Sequence, residues 1–496
     1  MNLSRLLAEF YPLSLPADRA ISHLVLDSRL VQPGDVFFAL KGSALDGRQF
    51  IEEAIQKGAC AILADGMEAG VELQKNVPVI FIPALKSHVG KLAATFYDHP
   101  AKKMRMIGVT GTSGKTSCTQ FMAALFHHLN IVCGVTGTLG NGLYGHTTES
   151  GLTTPDAITL QKTLADFVTQ GARFTAMEVS SHSLDQGRVN GIEFEVGVFT
   201  NLSRDHLDYH HTMVAYGATK KRLFDQTKQA VINADDAFGR EMLDGFKQRK
   251  NVLAYSTETK ADVYATGFQF SEDGLHADIV TPWGNAALYS RLVGEFNLSN
   301  LLAVITTLGL LDIPLASVMD GIATLEPVEG RMQMLGGDKK PRVIVDYAHK
   351  PDALEKVLIT LRKQCSGKLL CLFGCGGDRD PGKRPIMAHI AERYADLVMV
   401  TDDNPRHEKS ADIIRDIMGG FTHPILVKVE SDRAKAIREI IACAGSGDCV
   451  LIAGKGAETW QQTGDIKKPF SDMEQVKEAL SETRITNGEN TGCSSG

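Results

Sequence analysis

Residues 107–117 read Ile-Gly-Val-Thr-Gly-Thr-Ser-Gly-Lys-Thr-Ser, a short apolar run that passes through glycines into Lys115 and Thr116. Apolar residues four positions apart then predict a helix, at Phe121, Leu125 and Leu129. A strand, a glycine-rich turn and a helix form the context that holds nucleotide phosphates on backbone amides. The stretch therefore predicts a P-loop, with Lys115 on the β- and γ-phosphates and Thr116 on Mg²⁺.

The loop departs from the general pattern G-x-x-x-x-G-K-[ST], because Val109 stands where the first glycine belongs. Only the second half of that pattern is matched. The alternative is a glycine turn followed by a surface lysine, but the strand, the glycines, the Lys-Thr pair and the helix agree on a phosphate loop.

Apolar runs that end in Gly, Asp, Thr or Ser recur along the chain and alternate with helical periodicity. They span residues 104–110, 174–179, 196–200, 343–346, 369–373, 397–401 and 449–453. Strands that alternate with helices predict parallel α/β sheets, with ligands beyond the carboxyl ends of the strands. We expect an N-terminal α/β domain at 1–99, a P-loop domain at 100–331 and a doubly wound, Rossmann-like domain at 332–496, with a frayed tail from about residue 481.

Composition excludes several classes of protein. The 496 residues are 43% hydrophobic and 22% charged, with a net charge of −7, which predicts no general nucleic-acid surface. The nine cysteines form no C-x-x-C pair, so reduced thiols are expected. We see no signal-peptide pattern and no apolar run of about 18 residues. We therefore expect a cytoplasmic protein that does not insert into membranes.

Polar residues follow two further predicted strands. Glu178 ends one of them and could ligate Mg²⁺. The next strand leads into Asp205, His206 and Asp208. In isolation, a histidine at this place is more often a structural hydrogen bonder than a ligand, and the two aspartates could equally cap a helix.

An ordered set of motifs resembles the Mur ligase family from about Leu26 to Asp472. Besides the P-loop, these are Thr153-Thr154-Pro155, Glu178-Val-Ser-Ser-His182, Asn201-Leu-Ser-Arg-Asp-His206, Gly294-Glu-Phe-Asn297-Leu-Ser-Asn300, Glu329-Gly-Arg331 and Asp346-Tyr-Ala-His349. The resemblance implies domains for a uridine nucleotide, ATP and an amino acid. It implies ATP contacts at Gly111, Thr112, Ser113, Gly114, Lys115, Thr116, Ser117, Asn300, Arg331 and Asp346. It implies catalytic roles for Lys115, Glu178, His206 and Lys220, and Mg²⁺ ligands at Thr116, Glu178, His206 and Lys220.

Lys220 matches the position at which the family carries a carbamylated lysine. CO₂ adds to a neutral amine and turns a cation into an anion that can bind Mg²⁺. From composition alone, Lys220 beside Lys221 and Arg222 reads as a solvated helix face.

Within the family, the sequence is most similar to the branch that adds meso-diaminopimelate to a UDP-muramoyl dipeptide. Matching UDP-muramoyl-dipeptide contacts are Leu26, Ser28, Ser43, Ala44, Leu45, Thr153, Thr154, Ser180, Gln186 and Arg188. Matching diaminopimelate contacts are Arg379, Asp403, Asn404, Pro405, Arg406, Gly454 and Glu458. Diaminopimelate carries one more carboxylate than lysine, and a guanidinium such as that of Arg406 can pair with it through two bonds. The alternative interpretation of Arg406 is a surface arginine after a proline turn, without a role in binding.

Four residues depart from the family's pattern. Ala457 replaces a usual histidine, Thr459 and Trp460 replace its neighbours, and Lys350 replaces a usual threonine. The first three bear on the geometry around the amino acid, and Lys350 has no functional interpretation from sequence.

The resemblance thus implies an ATP-dependent amide-bond ligase of peptidoglycan precursor synthesis that releases ADP and phosphate. We expect it to act as a monomer on small molecules, without nucleic acid. The alternatives are a lysine-adding Mur ligase, a folylpolyglutamate-type ligase, or a P-loop switch protein without ligation. The stretch from Leu26 to Asp46 argues against the folate alternative and Arg406 against the lysine one. ATP turnover without the other two substrates would indicate a switch.

Overall fold

The computed structural model describes residues 1–8, 18–42, 45–149, 151–271 and 274–482. Within them, the chain forms three successive α/β units, each with its own sheet, and no sheet closes into a barrel. The predicted fold class is confirmed. Ser43, Ala44 and nearly all of the predicted frayed tail lie outside the described residues. No helix of the described part is both long and apolar enough to cross a bilayer.

The N-terminal unit is a five-stranded sheet in the order β1-β2-β3-β5-β4, in which only β4 is antiparallel to its neighbour. Its strands are β1 (Leu24–Val25), β2 (Val36–Ala39), β3 (Ala61–Gly66), β4 (Gly70–Gln74) and β5 (Val77–Pro83). Its helices are α1 (Leu3–Leu7), α2 (Ile51–Gln56) and α3 (Leu85–Phe96). Helices α1 and α3 cover one face of the sheet, and α2 covers the other.

The central unit is an eleven-stranded mixed sheet in the order β16-β15-β14-β13-β12-β11-β6-β10-β7-β8-β9. Its strands are β6 (Arg105–Thr110), β7 (Cys133–Gly137), β8 (Gly140–Leu143), β9 (His146–Thr148), β10 (Phe174–Glu178), β11 (Phe194–Phe199), β12 (Thr227–Asn233), β13 (Val252–Ser256), β14 (Val263–Ser271), β15 (Gly274–Thr281) and β16 (Gly284–Ser290). Its helices are α4 (Lys115–His128), α5 (Ala157–Thr169), α6 (Ser181–Asp185), α7 (Leu207–His210), α8 (Met213–Lys221), α9 (Ala237–Gly245), α10 (Glu295–Leu310) and α11 (Leu315–Ile322).

The seven middle strands, from β7 to β14 in the sheet, are parallel, as the sequence predicts. Antiparallel strands extend both edges of the sheet, β8 and β9 at one and β15 and β16 at the other. These ribbons are not among the strands predicted from the sequence.

Strand β6 is an interior strand of this sheet, between β11 and β10, and is buried on both faces. Met106 packs into one core, and Ile107 and Val109 pack into the other, beneath α4 and α10. Val109 is fully buried and pairs in register with Glu178 of β10. The residue that breaks the general P-loop pattern therefore belongs to the strand, where an apolar side chain is favoured.

The C-terminal unit is a six-stranded sheet in the order β17-β18-β22-β19-β20-β21, parallel except for β17. Its strands are β17 (Gln333–Gly336), β18 (Arg342–Asp346), β19 (Leu369–Phe373), β20 (Leu397–Val400), β21 (Lys428–Val429) and β22 (Cys449–Ala453), followed by a separate hairpin of β23 (Trp460–Thr463) and β24 (Ile466–Pro469). Its helices are α12 (Pro351–Gln364), α13 (Lys383–Tyr394), α14 (Ser410–Met418), α15 (Arg433–Ala442) and α16 (Asp472–Glu482). Helices α12 to α14 cover one face and α15 and α16 the other, which makes the sheet doubly wound.

Candidate active site

The glycine-rich turn lies at the carboxyl end of β6 and delivers the chain into α4, which begins at Lys115. Lys115 Nζ donates to the carbonyl oxygens of Gly111 at 2.9 Å and Thr112 at 3.0 Å, so the lysine folds back over its own loop. Gly111 has a φ of +147°, and a Cβ there would lie 1.9 Å from Thr200 Oγ1. A side chain at this position would clash whatever its type, so the turn requires glycine.

The carboxyl end of β11 holds the same turn from its other side. The backbone nitrogen of Thr112 donates to the Asn201 carbonyl at 2.8 Å, and that of Ser113 donates to Asn201 Oδ1 at 3.0 Å. Thr200 Oγ1 donates to the Ser113 carbonyl at 2.6 Å. The ends of two predicted strands therefore meet, and the loop is fixed by hydrogen bonds before any ligand binds.

Glu178 lies at the end of β10 and is 1% exposed. Its Oε1 accepts from the backbone nitrogen of Thr138 at 2.8 Å and its Oε2 from Thr138 Oγ1 at 3.2 Å. Thr154 Oγ1 donates to the Glu178 carbonyl at 2.8 Å, and the Thr153 and Thr138 hydroxyls lie 3.3 Å apart. Thr138 thus holds both carboxylate oxygens, and Thr154 holds the main chain of the same residue.

Most residues expected to contact the muramoyl peptide lie together beside Glu178. Ser180 caps α6, and its hydroxyl lies 3.4 Å from that of Thr154. Arg188 donates to the Thr154 carbonyl at 2.7 Å and to Gln186 Oε1 at 2.6 Å. Burial lowers the pKa of Arg188.

The predicted uridine-side residues belong to the N-terminal sheet unit. Ser28 is buried, and its Oγ donates to Glu53 Oε2 at 3.2 Å, while its carbonyl accepts from Lys57 Nζ at 3.0 Å. Leu26 is half-buried, and Leu45 is 65% exposed. The contacts of Ser28 are thus with its own unit. No described contact links Ser28 to the residues beside Glu178 that are expected to bind the muramoyl peptide.

Lys220 is 1% exposed, so its interpretation as part of a solvated helix face is wrong. Its Nζ donates to the Gly111 carbonyl at 2.8 Å and lies 4.4 Å from the centre of the Tyr216 ring. Burial, and then the neighbouring ammonium groups of Lys115 and Lys350, hold the pKa of Lys220 well below its usual range. Burial likewise lowers the pKa of Lys115, to about 8.

His206 is the N-cap residue of α7, with Nε2 2.9 Å from Asp205 Oδ2. Burial lowers the pKa of His206, although Asp205 opposes this. Asp205 is therefore not a helix cap, and Asp208 lies in the first turn of α7.

A metal ion would need donors of mixed type at this site. Within the part of the chain that the structure describes, no three His, Cys, Asp or Glu side chains converge on one point. Glu178 and Thr116 offer oxygen atoms, and His206 offers a nitrogen atom. Mg²⁺ prefers oxygen ligands, so the Glu178 carboxylate suits it best and the His206 imidazole suits it least. A further anionic donor would have to come from another residue type, such as Lys220 carrying a carboxylate.

Residues that follow the central sheet complete the surroundings of the P-loop. Arg331 Nη2 donates to Thr116 Oγ1 at 3.3 Å, and its guanidinium lies 4.3 Å from the centre of the Tyr347 ring. Asp346 Oδ2 accepts from the backbone nitrogen of Met332 at 2.7 Å, and burial raises the pKa of Asp346. Asn300 is buried against Gly114, whose Cβ position would lie 2.6 Å from Asn300 Oδ1.

The predicted diaminopimelate residues meet at the carboxyl ends of β20 and β22. Asn404 Nδ2 donates to Glu458 Oε2 at 2.9 Å, and Lys455 Nζ bridges Asn404 Oδ1 at 3.1 Å and Glu458 Oε2 at 2.9 Å. Asp403 and Pro405 are buried beside them, and the backbone nitrogen of Gly454 donates to the Asp346 carbonyl at 3.0 Å. Lys455 is fully buried and was missed from sequence, although its place between two glycines directly after a buried strand was a usable signal.

Arg406 is half-buried and has a φ of +51°. Its Nη1 donates to the Gly377 carbonyl at 2.9 Å, and its backbone nitrogen donates to the Gln462 carbonyl at 3.1 Å. Burial, and then the nearby Arg379, lower the pKa of Arg406. Arg379 itself is exposed. Arg406 is therefore held by the protein rather than free on a surface turn, and two guanidinium groups lie near each other at one edge of the pocket.

The substituted segment after Gly456 reaches the central unit. Trp460 Nε1 donates to Glu149 Oε1 at 3.3 Å, and Lys467 Nζ lies 3.9 Å from the centre of the indole. The group of polar residues around Lys455, which lies against Trp460, and the segment that leads into Thr153 are thereby in contact.

Three family models cover most of the chain. The Mur ligase family catalytic domain matches residues 20–97, the Mur ligase middle domain 109–308, and the Mur ligase glutamate ligase domain 330–456. The chain is 47% identical over 490 residues to a protein of Pseudomonas putida, covering 97% of this chain and 98% of that one. It is 49% identical over 466 residues to one of Pseudomonas aeruginosa, covering 93% and 96%. Both are named UDP-N-acetylmuramoyl-L-alanyl-D-glutamate–2,6-diaminopimelate ligase.

Solved structures give the same result. A UDP-N-acetylmuramoyl-L-alanyl-D-glutamate–2,6-diaminopimelate ligase superposes with a TM-score of 0.68 at 36% identity, over 95% of this chain and 98% of that one. The MurF ligase of Thermotoga maritima, in complex with ADP, superposes with a TM-score of 0.64 at 19% identity, over 93% and 97%. The second likeness bears on the fold alone.

Proposed function

The chain belongs to the Mur ligase family, and from that premise we propose that it joins meso-diaminopimelate to the D-glutamate γ-carboxylate of UDP-N-acetylmuramoyl-L-alanyl-D-glutamate, using ATP. The names of relatives nearly half identical over almost the whole chain bear out this sequence prediction. They do not support the lysine-adding, folate or switch alternatives.

One observation about the site carries the proposal. The fixed P-loop faces the C-terminal unit, because Lys350 Nζ donates to the Thr112 carbonyl and Arg331, at the junction of the two units, bonds Thr116. Lys455, Asn404 and Glu458 form a polar pocket at the carboxyl ends of the C-terminal strands. A phosphate loop and an amino-acid pocket that face one junction suit a reaction in which a carboxylate is phosphorylated and then attacked by an amine.

The chemistry follows from the weakness of a carboxylate as an electrophile. A γ-carboxylate oxygen attacks the γ-phosphorus of ATP, the bond to the bridging oxygen breaks, and ADP leaves with that electron pair. The neutral amine of diaminopimelate then attacks the acyl carbon, and the tetrahedral intermediate expels phosphate and loses a proton to give the amide. Lys115 and the loop amides stabilise the charge on the transferred phosphoryl group.

Thr116, Glu178, His206 and Lys220 as a carbamate are the residues that we propose hold Mg²⁺, which neutralises phosphate charge when bound. The burial of Lys220 favours its neutral amine, and only that form adds CO₂. Glu178 is held by Thr138, so its carboxylate needs little rearrangement to bind a cation.

We assign the uridine side of the substrate to Leu26, Ser28, Ser43, Ala44 and Leu45, and its peptide side to the group around Thr154, Ser180 and Arg188. Arg406, with Arg379 beside it, is the proposed partner of the carboxylate that diaminopimelate has and lysine lacks. We propose that the ligase works as a cytoplasmic monomer, because one chain supplies parts for all three substrates.

The test is a ligation assay with ATP, Mg²⁺ and the UDP-muramoyl dipeptide, in parallel with meso-diaminopimelate or L-lysine. We expect product of the correct mass and phosphate release with diaminopimelate only, and ¹⁸O transfer from the substrate carboxylate to phosphate. Product with lysine alone would contradict the specificity. ATP hydrolysis that needs neither dipeptide nor amine would contradict ligation.

A further inference from the structure

Lys350 occupies the N-cap position of α12, a place where lysine is locally unfavourable. The positive end of a helix repels a cation, and Ser, Thr, Asp or Asn would cap the free amides. The N-cap of α12 makes no side-chain cap hydrogen bond. Local structure therefore does not account for a lysine at this position.

The side chain of Lys350 crosses instead to the central unit. Its Nζ lies 2.7 Å from Asp205 Oδ2 and donates to the Thr112 carbonyl at 3.1 Å. The side chains of Lys350 and Asp205 are 9% and 10% exposed. Removing one partner of a buried ion pair leaves the other charge buried and uncompensated, so each of these two side chains depends on the other.

Both acceptors lie beside groups that we propose act in phosphoryl transfer. The Thr112 carbonyl also accepts from Lys115 Nζ at 3.0 Å, so one oxygen of the P-loop holds a lysine from each unit. Asp205 Oδ2 lies 2.9 Å from His206 Nε2 as well. Lys350 thus contacts the groups that position Lys115 and His206.

We propose that Lys350 is a positioning residue that fastens the C-terminal unit to the nucleotide loop, so that closure of the two units and placement of Lys115 occur together. The proposal rests on the proposed ligase function for its kinetic part alone. Arg204 provides a matched control, because it pairs with Asp380 across the same two units at 3.0 Å but is 46% exposed. An exposed pair contributes little.

Two variants remove the cation of Lys350 in different ways. Lys350→Met keeps the length and burial of the side chain, and Lys350→Thr gives α12 a capping hydroxyl that favours folding. For both, we expect kcat to fall about tenfold or more, with KM for ATP changed less than about threefold, because the loop amides remain. Arg204→Met should change kcat less than about twofold.

A readout that does not depend on activity is small-angle scattering with Mg²⁺ and a non-hydrolysable ATP analogue. The radius of gyration of wild type and Arg204→Met should agree, and that of both Lys350 variants should be larger. In the Asp205→Asn background, Lys350→Met should cost little further kcat, since its partner is already lost.

Wild-type compactness in the Lys350 variants would overturn the proposal, as would losses of kcat that multiply in the double variant. If the wild type fails to ligate, the proposed function fails, while the scattering comparison still decides whether Lys350 fastens the units.

Discussion

Arg406→Gln tests which group reads the extra carboxylate of diaminopimelate. The substitution removes the charge of a half-buried guanidinium while keeping a polar side chain of similar reach. The backbone of Arg406 has a φ of +51°. A hydrogen bond from its nitrogen to the Gln462 carbonyl helps to hold this conformation. That bond does not depend on the side chain, and we expect the turn to persist.

The magnitude follows from the strength of the pair. A bidentate guanidinium–carboxylate pair in a partly desolvated pocket is worth about 2–4 kcal/mol when one partner is removed, or about 30- to 1,000-fold in kcat/KM. Arg379 lies nearby and carries the same charge, which places the expected loss toward the lower end. Lysine lacks the carboxylate, so its use should change little and the preference for diaminopimelate should shrink by the same factor.

The assay measures kcat/KM for meso-diaminopimelate and for L-lysine under one set of conditions. Arg406→Lys is the second variant: it keeps the charge but loses the planar fork and should fall between wild type and Arg406→Gln. Arg415→Ala is the control, an exposed arginine on α14 whose loss should leave both substrates unaffected. An equal loss for both substrates, or no loss for diaminopimelate, would refute Arg406 as the specificity residue.

Three further expectations follow from the structure. Gly111→Ala places a Cβ 1.9 Å from Thr200 Oγ1, so calorimetry should show nucleotide binding weakened by about 1–3 kcal/mol, and unchanged binding would contradict the tight turn. Arg433→Met breaks a fully buried ion pair with Asp472 and should lower the free energy of unfolding of the C-terminal unit by about 3–5 kcal/mol in a urea titration, whereas a change below about 1 kcal/mol would argue against that pair. Burial raises the pKa of the Cys118, Cys133 and Cys371 thiols to about 12. At pH 8 these thiols should therefore resist alkylation until the chain is denatured, and rapid labelling of the native protein would contradict their burial.

The α/β class and the middle of each parallel sheet could be predicted because strands buried on both faces read as continuous apolar runs. Residues 369–373 and 449–453 form strands with the predicted limits. The edge ribbons were not predicted, since strands such as β8 and β9 are short and rich in glycine and polar residues, and β9 is exposed. Val109 departs from the general P-loop pattern, yet it lies within the run predicted as a strand at 104–110 and within β6 of the structure.

The residues of the candidate site also differ in whether local sequence could identify them. Glu178 follows from local sequence, because it ends a predicted strand and the carboxyl edge of a parallel sheet gathers such residues. Asn404 lies beyond the end of β20 and was named through the family resemblance. The three buried lysines at positions 220, 350 and 455 do not follow, because what identifies each is a partner distant in the chain: the Gly111 carbonyl, Asp205 and Asn404. Burying an ammonium is costly unless such partners exist, and no periodicity in one segment reports a partner in another. A lysine at a locally unfavourable position is nevertheless a candidate for a buried contact with a distant partner. The N-cap of α12 and the position between two glycines after β22 are examples. In both places another residue type would suit the local backbone better than lysine, and the structure shows which distant groups the lysine contacts.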